Sequence, residues 1–185
     1  RPIEIAKEKG NIEIITLLLS NPNIKTDINE YFTDAITTGN IKAFDSLLSN
    51  PKLDVKKVFQ GALHNAVYIG NIDMVNALLN RAEIDVNSVF NGFTVIQIAA
   101  QNNNTEIFNL LINHPKIDIK HLFSGQFALN EAAAKGNLEI FKVLLEKPEI
   151  DINYHNQGGY TALHCAVLGG NVKIVKMLFS RPEID

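Results

Sequence analysis

The 185-residue sequence predicts an all-α repeat fold, an α-solenoid of stacked helix–turn–helix units, on three observations. A Gly-Asn pair recurs at Gly10-Asn11, Gly39-Asn40, Gly70-Asn71, Gly136-Asn137 and Gly170-Asn171, with Asn103-Asn104 in the gap, at intervals of 29, 31, 33, 33 and 34 residues. Alanine stands four residues before every one of these anchors, at Ala6, Ala35, Ala66, Ala99, Ala132 and Ala166. A large apolar pair follows eight and nine residues after them, from Leu18-Leu19 to Leu178-Phe179. Self-similarity at such a period marks a repeat architecture.

The elements follow in order within each repeat. A first helix fills about eight residues before the anchor, as in Ala162 to Leu168. Its apolar positions, seven and four before the anchor, share one face at helical spacing (Ile3 with Ala6, Phe32 with Ala35, Leu163 with Ala166). The anchor then has to reverse the chain at once, which needs left-handed backbone where glycine meets no steric penalty. Asparagine tolerates that region next best, so Asn103 is a consistent substitute. A second helix takes about nine residues, as in Val172 to Ser180. Pro22, Pro51, Pro115, Pro148 and Pro182 stand twelve after the anchor, where the helix has to stop, and Pro2 opens a first helix.

An Ile-Asp or Leu-Asp step then leads into an extended segment with a turn glycine, Gly61, Gly92, Gly125 or Gly159. Length varies here alone. Ile24 to Phe32 is 8 residues, Leu53 to Leu63 is 10 and Ile150 to Leu163 is 13, so the early connections should be stunted. The expected organisation is one repeat domain over 1–185. Its repeats cover approximately 1–21 (partial), 22–50, 51–81, 82–114, 115–147 and 148–181, with a further repeat starting at 182–185. Arg1 and Asp185 both fall inside repeats, which reads as a fragment of a longer array.

Composition narrows the function. Apolar residues at 46% and charged residues at 20% are ordinary globular usage. A formal net charge of −3 gives no reason to expect nucleic acid. A single cysteine excludes a disulfide framework and fits a reducing, cytoplasmic setting. No apolar run approaches the roughly 20 residues of a membrane span, and no signal peptide is visible.

Gly159-Tyr160-Thr161-Ala162-Leu163-His164-Cys165-Ala166 and the following Ile174-Val175-Lys176-Met177-Leu178-Phe179 resemble the ankyrin repeat. Ile150-Asp151-Ile152-Asn153 resembles the start of its hairpin. The resemblance implies stacked helix pairs with β-hairpin-like finger loops, some shortened. It also implies a concave binding face made of the fingers and the exposed side of the first helices. Several repeats depart from it: Thr94 and Thr161 precede their first helices, where Gly61 and Phe127 stand in others. The accompanying histidine is present at His64 and His164 but is Thr33, Gln97 or Asn130 elsewhere.

No catalytic constellation is found, so the chain is read as no enzyme, with no cofactor and no metal site. Cys165 and His164 point about 100° apart on one helix and form no local nucleophile–base pair. His64 and His164 are three repeats apart, roughly 25–30 Å at about 8–10 Å per layer, too far to share a metal. Both read as structural histidines near a helix start, and Cys165 as a small buried residue.

The function expected is a protein–protein interaction scaffold, with a protein partner on the concave face and neither nucleic acid nor membrane involved. The alternative is a targeting or substrate-recruitment module of a larger enzyme or host-directed effector. The residues one and two before each anchor are the first to read for contacts. Most are polar or small, as at Gln101-Asn102; Tyr68-Ile69 is the bulky exception, serving either a partner or local packing. Phe59, Phe90 and Phe123 recur at one finger position and either pack between fingers or meet a ligand. Phe93 and Tyr160, just after their turn glycines, are expected to point outward.

Overall fold

The computed structural model describes residues 2–21, 28–48, 55–121 and 124–185. They divide into two compact units, Arg1–Asp85 and Val86–Asp185. The first holds α1 (Pro2–Glu8), α2 (Ile12–Ser20), α3 (Ile28–Thr38), α4 (Ile41–Leu48), α5 (Val55–Ile69) and α6 (Ile72–Leu79). The second holds α7 (Val95–Gln101), α8 (Thr105–Ile112), α9 (Ser124–Lys135), α10 (Leu138–Leu145), α11 (Ala162–Leu168) and α12 (Val172–Phe179). Among the described residues there is no strand, only an isolated bridge between Phe90 and Phe93. The chain is an all-α repeat fold of paired helices.

Each pair is joined by the same device. The anchor residue is left-handed in all six repeats, from φ 56° at Asn103 to φ 82° at Gly70. That conformation lets the N–H of the next residue reach back to the carbonyl of the alanine, at 2.8 to 3.0 Å from Asn11–Ala6 through Asn171–Ala166. This is the helix-closing bond that a left-handed cap permits. The alanine is buried at every occurrence, so the backbone turn and the small side chain share one close-packed position.

The asparagine of the Gly-Asn pair has its own task. Its side-chain oxygen accepts from the backbone three residues on, at Ile14, Ala43, Met74, Ile107 and Ile140, so it caps the second helix. Asn171 is the exception: its amide donates to the carbonyls of Ala133 (2.7 Å) and Ala134 (2.8 Å) of the preceding repeat.

The residue five after the anchor forms the centre of three of the layers. Phe44, Phe108 and Phe141 occupy it and are completely buried, each removing enough apolar surface to contribute about 3 kcal/mol. In the first unit the Phe44 ring meets Phe32 at 4.6 Å and Phe59 at 6.2 Å between centroids. Arg81 covers the same ring and pairs with Asp45. In the second unit α9 is central, packing on α7, α10 and α11.

The first helices and the fingers depart from the sequence expectation. In the second unit α7 and α11 are short, each started by a threonine in a capping box, Thr94 with Gln97 and Thr161 with His164. There the turn glycines Gly92 and Gly159 adopt positive φ as expected. Where the threonine is missing nothing stops the helix: α5 runs back through Gly61 and α9 through Gly125. Gly61 and Gly125 are therefore helical residues and not turn glycines. Gly125 is needed for space, because a Cβ there would lie 2.7 Å from Ile150 and 3.2 Å from the Ile119 carbonyl. His64 consequently sits in mid-helix, buried, instead of near a helix start. Pro22, Ile24, Pro51, Lys52 and Leu53 lie outside the described residues.

Fingers of the second unit are tied by side-chain amides. Asn87 donates to the Lys116 carbonyl at 2.7 Å and accepts from the Asp118 N–H at 2.8 Å. Asn153 does the same one finger-pair later with Glu183 (2.6 Å) and Asp185 (3.2 Å). Lys120 holds the equivalent position between them and has no amide to offer. Gln126 takes over, its amide oriented to bond both the carbonyl and the N–H of Asp151, at 3.0 and 2.6 Å.

Two glycines separate strain from crowding. Both Gly136 and Gly170 are left-handed, but a Cβ on Gly136 would collide with the Asn171 side chain whereas one on Gly170 meets nothing within 4 Å. Gly170→Ala is expected to cost about 1 kcal/mol from backbone strain alone. Gly136→Ala also displaces a hydrogen-bonded amide and is expected to cost at least about 2 kcal/mol. Urea denaturation of the two variants measures the difference.

Candidate partner-binding face

In Val86–Asp185 the exposed sides of α7, α9 and α11 meet the two full fingers, and a cavity of about 500 Å³ opens between them. One wall is aromatic. Phe93, 37% exposed after the Gly92 turn, meets Phe127 on α9 edge to face with centroids 6.1 Å apart. The finger carrying Phe93 is held by paired backbone bonds, Phe90 N–H to the Phe93 carbonyl (3.0 Å) and Phe93 N–H to the Phe90 carbonyl (3.1 Å). The opposite wall is the following finger, with Tyr154 and Asn156. Asn156 holds that finger's turn by accepting from the N–H groups of Gly158 and Tyr160, at 2.9 and 3.0 Å.

The polar groups come from α9 and α11. Glu131 and Cys165 both stand five before their anchors, so the register places them side by side on neighbouring helices. Burial pushes the Cys165 thiol up from its ordinary value, and the Glu131 carboxylate pushes it further in the same direction. Glu131 makes no ion pair among the described residues. Asn130, one position earlier, is more than nine-tenths buried, and its amide nitrogen has no acceptor. Its counterparts Gln97 and His164 spend their side chains on the capping boxes; α9 starts at Ser124, six residues upstream, and leaves Asn130 no cap to serve.

The residues singled out by sequence fall into separate places. Phe93 and Tyr160 (45% exposed) both reach the surface, and Tyr160 packs edge to face on His164 at 5.9 Å. Gln101 and Asn102 are exposed at the end of α7. In the other unit, Tyr68 and Ile69 are 69% and 44% exposed at the end of α5. Phe59 is buried on α5 against Phe44, so of its two possible roles it takes packing. Phe90 is half-buried, and Phe123 lies outside the described residues. Cys165 is half-buried and lines the cavity, which corrects the expectation of a buried core residue.

Sequence reading missed Phe127, Asn130, Glu131 and Tyr154. The position five before the anchor reads Ile5, Asp34, Asn65, Ile98, Glu131 and Cys165, so a carboxylate at Glu131 is not announced by a consistently polar position. Among the described residues no cluster of three or more His, Cys, Asp or Glu side chains is placed to hold a metal ion. No described helix is long and apolar enough to cross a membrane.

The raised thiol has a measurable consequence. Both causes favour the neutral thiol over the thiolate that reacts with alkylating agents. Iodoacetamide at pH 8 is expected to label it at least about fivefold more slowly than free cysteine. Glu131→Gln is expected to speed the labelling by removing the neighbouring negative charge.

Comparison with known proteins follows the same geometry. The family model for ankyrin repeats matches the chain three times, over residues 32–122, 63–156 and 109–185. No curated protein matches it. With most of its length covered by those matches, and with the glycine-turned helix pairs in place, the chain belongs to the ankyrin repeat family.

Proposed function

We propose that the chain is a non-catalytic interaction scaffold that holds a protein partner on the face formed by its fingers and first helices. Ankyrin repeats are generally protein–protein interaction modules. The observation that carries the reading is the placement of bulky side chains on that face. Phe93 and Tyr160 stand on finger backbone fixed by hydrogen bonds and keep 37% and 45% of their surface exposed. Rigid aromatic groups lose little conformational freedom on binding and supply much of the energy at interfaces. Tyr68 and Ile69 offer a comparable apolar pair on the first helix of their own unit. The single, half-buried cysteine suits an intracellular, reducing setting.

Affinity capture with the full chain, followed by calorimetry on the partner identified, tests the reading. Paired changes Phe93→Ala with Tyr160→Ala, and separately Tyr68→Ala with Ile69→Ala, probe the face in each unit. At least one pair is expected to weaken binding by about 2 kcal/mol or more, roughly thirtyfold. Asn76→Ala, on the exposed side of α6, is expected to change nothing. A partner indifferent to both pairs does not bind this face.

A further inference from the structure

Four features of the cavity in Val86–Asp185 converge on one chemistry. Its aromatic groups, Phe93, Phe127 and Tyr154, come from two fingers and a helix and surround an open space of about 500 Å³. Ring faces carry negative charge and attract cations. Among the described residues Glu131 is the only charged side chain lining the space, and it is negative and half-buried. Lys135, one helical turn along α9, is exposed and makes no ion pair with it. A cation entering the space would be attracted to this carboxylate, the more strongly as the partner excludes water. Asn130 adds an amide more than nine-tenths buried with an unused donor.

We propose that this cavity takes the lysine or arginine side chain of an extended segment of the partner protein. The cation reaches Glu131 between the aromatic walls, and a backbone carbonyl of the same segment accepts from Asn130 after a small rotation of its amide. An extended segment suits this arrangement because its carbonyls are free, whereas those inside a helix are already bonded. A phosphate-bearing ligand does not fit, since the lining's one charge repels it. The proposal rests on the protein-binding reading above and adds the partner's chemistry to it.

The test selects a displayed library of random twelve-residue peptides on the full 185-residue chain and measures the selected peptides, labelled with fluorescein, by anisotropy. The expected peptides share a lysine or arginine at one position, and its replacement by glutamine weakens them at least about tenfold. Glu131→Gln, nearly the same shape as the native residue, is expected to cause a similar loss, reduced at high salt. Phe93→Ala is expected to weaken the same peptides. Thermal unfolding followed by circular dichroism checks that the variants fold. Should Glu131→Gln unfold, Glu131→Lys with a peptide carrying glutamate at the basic position replaces it, and recovered binding supports the proposal.

Peptides with no shared basic position, or peptides that lose affinity with Phe93→Ala but less than twofold with Glu131→Gln, overturn the cationic occupant and leave the binding face standing. Peptides indifferent to Phe93→Ala, Tyr160→Ala and Glu131→Gln alike overturn both readings. A library that yields no binding peptide overturns the proposal as well.

Discussion

A chain that runs up one short helix and down another with almost no linker must place one residue in left-handed backbone, and the rest of this fold depends on that residue. Six positions supply it, five glycines and Asn103. Once φ is positive, the following N–H closes onto the alanine carbonyl and the following asparagine is delivered to the start of the second helix. Neither bond forms if the turn opens. The alanine is small because the turn folds back over it, and the phenylalanine five residues after the anchor, in the three repeats that have one, is buried because the turn points the second helix inward. One backbone angle thus sets the packing position of the alanine in every repeat and the asparagine cap in five of the six.

The fingers obey a weaker constraint, and the contrast explains their irregularity. A first helix begins where a threonine captures a free N–H, as Thr94 and Thr161 do. Take the threonine away and the helix continues backward through whatever the connection contains, glycine included. Gly125 occupies the same register position as Gly92 and Gly159, yet it is helical and packed against Ile119 and Ile150 while they are left-handed. The same residue type therefore answers two different demands, and the residue two positions further on, Phe127 in place of threonine, decides which.

This is also where sequence legibility ends. The pairing of helices, their register and the left-handed anchors follow from spacing, because each position is fixed by a single steric requirement. The lengths of α5 and α9 depend on a competition between helix propagation and a missing cap, which spacing alone does not weigh. Phe59 looked like a finger residue for that reason and lies in the core. The asparagine after each anchor was in plain view in all six repeats; its capping role in five of them needed only the preference of asparagine for helix starts. Asn130 was harder, since an amide with nothing to bond is visible only when the helix before it is seen to be too long.

A regular repeat consumes its own polar groups: the threonine bonds the side chain three residues on, the asparagine bonds the helix after it, and little is left facing outward. Specific recognition needs groups that are not consumed. The departure at α9 supplies them by the same event that removes the finger cap, because a helix extended to Ser124 frees Asn130 and carries Phe127 to a position facing Phe93. Glu131 then stands beside them with no ion pair among the described residues. On the proposed reading, the repeats that agree with one another serve fold stability, and a departure such as that at α9 leaves polar groups available for a partner.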